Sequence, residues 1–195
     1  KIVMTRADVF EGTGPTSGTV VDVKLGATRD GNLTAAWTRL VYEAGGFPGS
    51  SVGGAARCMF SPYDIPNGLI EGFDVVVNRP KTSAYRAPGT PAAAFAVETA
   101  LDELAEQLEL DPIELRLRNC AREGTRLVSG ITLPQVGFTD VLEAARNHHH
   151  FNTPIEGPWC GRGVASGSCG SFLRFNNRNL FRLNRLHCWH LLSRS

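Results

Sequence analysis

Apolar and polar positions alternate most clearly between Thr19 and Tyr42. Thr19-Val20-Val21-Asp22-Val23-Lys24-Leu25 is a partly alternating, β-branched run, the pattern of a strand with one buried face. Arg29-Asp30-Gly31-Asn32 follows, and its Asp-Gly pair predicts a two-residue hairpin turn with both central residues at positive φ. Leu33 to Tyr42 returns as the second strand. Ala44 to Gly54 is glycine-rich, which fits a loop or a close backbone approach. Tyr63-Asp64-Ile65-Pro66-Asn67 is a turn-rich approach to a further strand, Gly72 to Asn78. From Thr82 to Pro91 two prolines and a glycine predict a stiff loop.

The period then changes from two to 3.6. Ala94, Val97, Leu101, Leu104, Ala105 and Leu108 make one face of a helix from Pro91 to Leu108, with Asp102, Glu103, Glu106 and Gln107 on the wet side. A second helix starts at Asp111. Its carboxylate caps, Pro112 takes the first helical position, Glu114 is placed to reach back, and Leu110 and Leu115 are placed for a hydrophobic staple. A third runs from Thr139 to Asn147. A β-hairpin and strands followed by packed helices is an α+β order.

Composition adds little for most of the chain. A net charge of +1, 42% hydrophobic and 20% charged residues argue against disorder, a membrane surface and nucleic acid as a partner. No apolar run is long enough to span a bilayer, and no signal peptide opens the chain. Lys1 in place of a methionine reads as a cut. The five cysteines are widely spaced with no CxxC pair, which argues against a thiolate metal site and for free thiols in a cytoplasmic, reducing compartment.

The tail is different. Residues 168–195 hold five arginines, no acid, and no Ala, Val, Ile, Thr, Pro or Lys. Two readings stand: a change of reading frame near Gly167, making 168–195 a non-native basic tail, or a module whose Arg-rich tail binds nucleic acid.

Few residues offer chemistry. His148-His149-His150 falls at a helix end, where cations are favoured, and three consecutive histidines cannot share one site. Gly12 to Gly18 lacks the Lys-Ser/Thr ending of a phosphate loop. Ala84-Tyr85-Arg86-Ala87-Pro88-Gly89 is of more interest. A strand-to-helix loop presents backbone amides, and Arg86 adds a permanent cation suited to phosphate or oxo ligands.

Five ordered segments over residues 1–167 resemble the xanthine dehydrogenase/aldehyde oxidase-type molybdenum hydroxylases. Val23 to Ala35 is similar to the family's hairpin, and Tyr63-Asp64-Ile65-Pro66-Asn67 to its Tyr-x-Ile-Pro-Asn element. Ala84 to Gly89 resembles its Ala-(Phe/Tyr)-Arg-Gly-x-Gly loop. Asp102-Glu103-Leu104-Ala105, Leu110 to Arg116 and Asn119 resemble the helices behind that loop, and Gly161 to Ala165 a later strand start.

The resemblance implies a partial molybdopterin-binding domain over 1–167, an internal piece of the catalytic large subunit. It implies a molybdenum–molybdopterin cofactor, in the cytosine dinucleotide form, beside Arg86, Ala87, Pro88 and Gly89. The implied reaction hydroxylates a small aldehyde or N-heterocycle with oxygen from water. Electrons leave through two [2Fe–2S] clusters and FAD, carried by a small and a medium partner subunit. Two departures stand out. Ala87 replaces the usual glycine, and Pro88 replaces the aromatic residue of purine-oxidising members, which disfavours stacking on a flat heterocycle. The implied catalytic glutamate, in a Gly-x-Gly-Glu setting, and a Gly-Gly-x-Phe-Gly-Gly element have no counterpart in this sequence, so neither a catalytic residue nor a metal ligand is assigned and the chain is expected to be inactive alone.

Overall fold

The computed structural model describes residues 1–168, so the basic tail lies outside the described residues except for Ser168. Its centre is a three-stranded sheet of β1 (Thr19–Ala27), β2 (Leu33–Gly45) and β3 (Gly68–Val76), in that order. β1 and β2 form the expected hairpin, antiparallel from Thr19 opposite Tyr42 to Ala27 opposite Leu33. β3 lies parallel to β2, from Gly68 opposite Ala36 to Val76 opposite Gly45, and starts four residues before the strand expected from Gly72.

The turn departs from the two-residue expectation. Thr28 accepts from the Gly31 amide (2.9 Å), and the Thr28 amide donates to Asn32 (2.9 Å), so five residues connect the strands. Only Gly31 has positive φ (83°), and Asp30 does not. The reason lies outside the hairpin. Asn119 donates to the Gly31 carbonyl (2.7 Å) and accepts from the Leu33 amide (2.7 Å), and both Leu110 and Leu115 fill the space where a Gly31 Cβ would sit. A tertiary clamp, not the local pair preference, sets this turn.

Two short helices escape the periodicity argument. α1 (Arg6–Gly12) starts on a capping box of Thr5 and Asp8 and buries none of its residues. α2 (Val52–Cys58) lies in the glycine-rich stretch and carries the chain from β2 towards β3. The three helices expected from the sequence match closely: α3 (Thr90–Gln107), α4 (Pro112–Arg118) and α5 (Phe138–Asn147). Asp111 caps α4 as expected, accepting from the Ile113 and Glu114 amides. Glu114 does not complete a capping box. It pairs instead with Arg118 (3.0 Å) and Arg146 (3.5 Å).

The core lies between the sheet and α3. Ala36, Leu40 and Tyr42 of β2 pack with Ala93, Val97, Leu101 and Ala105 of α3, joined by Met59, Phe60, Tyr63 and Ile65 from the crossover. Val21, Val23 and Leu25 of β1 face the same way. On the other side of the sheet Trp37 donates to Glu71 (2.8 Å) under the Lys24 ammonium. Gly161 to Ala165 forms no strand among the described residues, although Val164 is buried.

Candidate functional site

The segment that begins at Lys81 and ends in α3 is pinned at both ends. At its start Thr82 donates backbone and hydroxyl to the Ala44 carbonyl (3.1 and 3.2 Å), and Ser83 donates to Pro15 (2.8 Å). Gly14 lies so close that a Cβ there would sit 1.8 Å from the Lys81 oxygen. At its end Gly89, at φ 83°, serves as the N-cap of α3, with Pro91 in the first turn. A Cβ on Gly89 would meet the Ser51 oxygen at 2.4 Å and the Ala55 nitrogen at 2.9 Å. Only glycine gives both this backbone conformation and this contact.

The loop is also backed from behind. Tyr42, buried on the inner face of β2, donates its hydroxyl to the Gly89 carbonyl at 3.0 Å. Burial, and secondarily the nearby Tyr85, push the Tyr42 phenol up to about 12, so it remains a donor through the ordinary pH range. Gly54 of α2 closes on the Pro88 carbonyl, where a Cβ would lie at 2.4 Å. Gly54 thus makes the close approach that is one of the two roles expected of this stretch, whereas a Cβ at Gly53 would meet nothing within 4 Å.

Between these anchors the four residues singled out from sequence divide. Arg86 and Pro88 are exposed, Ala87 is half-buried and Gly89 is buried. Arg86 makes no hydrogen bond or ion pair among the described residues. Ala87 has φ 57°, a region that glycine occupies freely and alanine does not, and its carbonyl accepts from the Thr90 amide (3.1 Å). The arrangement is a clamped backbone carrying one unpartnered cation outward.

Sequence reasoning missed the braces. Tyr42 falls on the alternate positions Ala36, Thr38, Leu40 and Tyr42 that face the core, and a buried tyrosine hydroxyl calls for a partner. Glu98 was hidden on the apolar face of α3. Its carboxylate accepts from the Tyr63 hydroxyl (2.5 Å), the Arg116 Nε (2.9 Å) and the Ser166 amide (2.7 Å). Arg116 is fully buried and also pairs with Asp102 (2.8 Å). Burial pushes the Glu98 carboxyl upward against the opposing pull of Arg116 and Tyr63, and pushes the Tyr63 phenol well above its usual range.

The histidine run does not sit on one continuous helix end. His148 is extended, accepts from the His150 amide through Nδ1, and caps α6 (His149–Asn152). Among the described residues no group of three or more His, Cys, Asp or Glu side chains is placed to hold a metal ion. No helix among them is long and apolar enough to cross a membrane.

Three comparisons bear on this geometry. The family model for the molybdopterin cofactor-binding domain matches residues 1–120. The nicotinate dehydrogenase large molybdopterin subunit of Eubacterium barkeri is 30% identical over 151 residues, which is 75% of this chain and 35% of that protein. The aldehyde oxidoreductase of Megalodesulfovibrio gigas is 33% identical over 139 residues, 69% of this chain and 15% of that protein. The crystal structure of the aldehyde oxidoreductase from Desulfovibrio desulfuricans superposes with a TM-score of 0.71 at 28% identity, over 79% of this chain and 18% of that one. The chain therefore spans about a third of the first relative's length and less than a fifth of the two aldehyde oxidoreductases.

Proposed function

The chain belongs to the molybdopterin cofactor-binding domain family, and on that premise we propose that its Arg86–Gly89 loop is where it meets a molybdenum–molybdopterin cofactor. The observation that carries this reading is Arg86, an exposed permanent cation with no internal partner among the described residues, on a backbone clamped from behind. Such a guanidinium suits phosphate and oxo groups, so these residues fit an anionic cofactor. When bound, that group supplies the oxygen-transfer and electron-accepting chemistry. This chain's part is to hold and orient. Arg86 neutralises charge and fixes an angle, the left-handed turn at Ala87 and Gly89 shapes the backbone that faces the ligand, and Pro88 stiffens the loop between them.

The wider reading rests on the relatives' names. They include an aldehyde oxidoreductase and a nicotinate dehydrogenase subunit. We propose that the whole protein hydroxylates a small aldehyde or an N-heterocycle with oxygen from water. Its cofactor is the cytosine dinucleotide form, and electrons pass to a [2Fe–2S] small subunit and an FAD-binding medium subunit. Cys58, Cys120 and Cys160 are free, which supports a cytoplasmic setting. Residues 1–167 carry the family sequence in this reading, and 168–195 result from a frame change that resequencing the encoding DNA across that point would reveal.

Arg86→Ala tests the site. Protein isolated from a host that makes the cofactor should retain less molybdenum and pterin, with its Kd for the cofactor raised about tenfold when some 1.4 kcal/mol of binding is removed. Equal metal and pterin content in the variant, or none in the unaltered protein, would overturn the proposal.

A further inference from the structure

Glu98 is the one carboxylate among the buried polar residues. Its three donors come from three separate segments: Tyr63 before β3, Arg116 in α4 and Ser166 after α6. One side chain ties all three segments together: Oε1 accepts from Tyr63, and Oε2 accepts from both Arg116 and Ser166. Arg116 also grips α3 at two other points, the Glu98 carbonyl (3.3 Å) and, one turn further on, the Asp102 carboxylate (2.8 Å). A helix held this way can neither slide along its axis nor turn about it without breaking several buried bonds at once.

The same helix begins at Gly89. That residue is confined between the Ser51 oxygen, the Ala55 amide and the Tyr42 hydroxyl, with no slack to absorb a shift. The Thr90 amide ties the helix start to the Ala87 carbonyl (3.1 Å), one residue from Arg86. Glu98 stands nine residues beyond Gly89, about 13 Å along the axis. Buried ion pairs are a poor source of stability compared with apolar packing, and their best-attested use is to fix one register among several.

We propose that Glu98 is a positioning residue: its three-donor clamp sets the height and rotation of α3, and through the helix sets the place of the Arg86–Gly89 loop. It touches no ligand and acts only through the helix. Its functional meaning rests on the reading of that loop given above, but its test does not, because the test is read without cofactor.

The test is amide hydrogen exchange on the full chain. Glu98→Leu combined with Arg116→Met replaces the clamp by apolar groups of similar size, which leaves the core packed. Exchange at the Thr90 and Ala93 amides, which donate to the Ala87 and Gly89 carbonyls, should then rise about tenfold or more, while the far end of α3 and the β1–β2 hairpin stay protected. Glu98→Gln, which keeps an acceptor for Arg116 and Ser166, should keep exchange slow at the Thr90 and Ala93 amides. A folded double variant with unchanged exchange at those amides overturns the proposal. Should the double variant fail to fold, Tyr63→Phe removes a single donor. Faster exchange confined to the Thr90 and Ala93 amides then supports the proposal, and unchanged exchange there or uniform acceleration along the chain overturns it. Cofactor retention in Arg86→Ala is a separate measurement, so either reading can fail while the other stands.

Discussion

The hydroxyl of Tyr42, in the middle of the core, donates to the carbonyl of Gly89, the residue on which α3 begins. This bond joins two positions 47 residues apart in sequence, at the opposite end of the loop from the Thr82 bonds to Ala44 of the same strand. Tyr42→Phe keeps the ring and removes one of two bonds to the Gly89 carbonyl, which the Ala93 amide still reaches (3.3 Å), a loss of about 0.5–1.5 kcal/mol. Denaturant unfolding should show that loss, together with faster exchange at the Thr90 amide. An unchanged midpoint would mean that the Ala93 amide alone satisfies the carbonyl.

Ala87 sits at φ 57°, where an L-residue with a Cβ is disfavoured by about 1–2 kcal/mol. Ala87→Gly relieves that strain and returns part of the gain as chain entropy. The expected outcome is a net stabilisation of about 0.5–1 kcal/mol, read as a higher thermal midpoint. A lower midpoint would show that the methyl group makes a contact worth more than the strain.

Asp74 braces the turn after β2. Its carboxylate accepts from the Gly49 amide (2.7 Å) and the Ser50 amide (2.9 Å). The Ser50 hydroxyl first, then these two amides, hold its carboxyl below the ordinary value of 3.8. A folded-state value below the unfolded one contributes stability that is present above the unfolded value and is lost as pH falls through the lower, folded value. The Gly49 and Ser50 amides should therefore stay protected down to the ordinary carboxyl value of 3.8 and open below it. Asp74→Asn should remove that acid transition, and its persistence in the variant would assign the transition to another group.

Much of the fold was readable because it is local. The alternation of Val21, Val23 and Leu25, the Asp111-Pro112 start of α4 and the spacing of Val97, Leu101 and Ala105 each state their element within a few residues. What failed was set from a distance. The Asp30-Gly31 turn takes a longer form because Asn119 and two leucines hold it, and α2 forms despite Gly53 and Gly54 because Gly54 must lie against Pro88. The site shows the same division. Arg86 and Gly89 were visible as residue types in a strand-to-helix loop. The groups that hold the loop, Tyr42 and Glu98, read as ordinary core positions, since an inward-facing polar atom reveals its partner only after the chain is folded.

The bond from Asn119 to Gly31 spans 88 positions. The hairpin cannot reach its final turn geometry until α4 has arrived, so a step that would be local and fast in an isolated hairpin becomes coupled to the closure of a long loop. Nascent chain released before Asn119 emerges would therefore carry two strands with an unsettled connection.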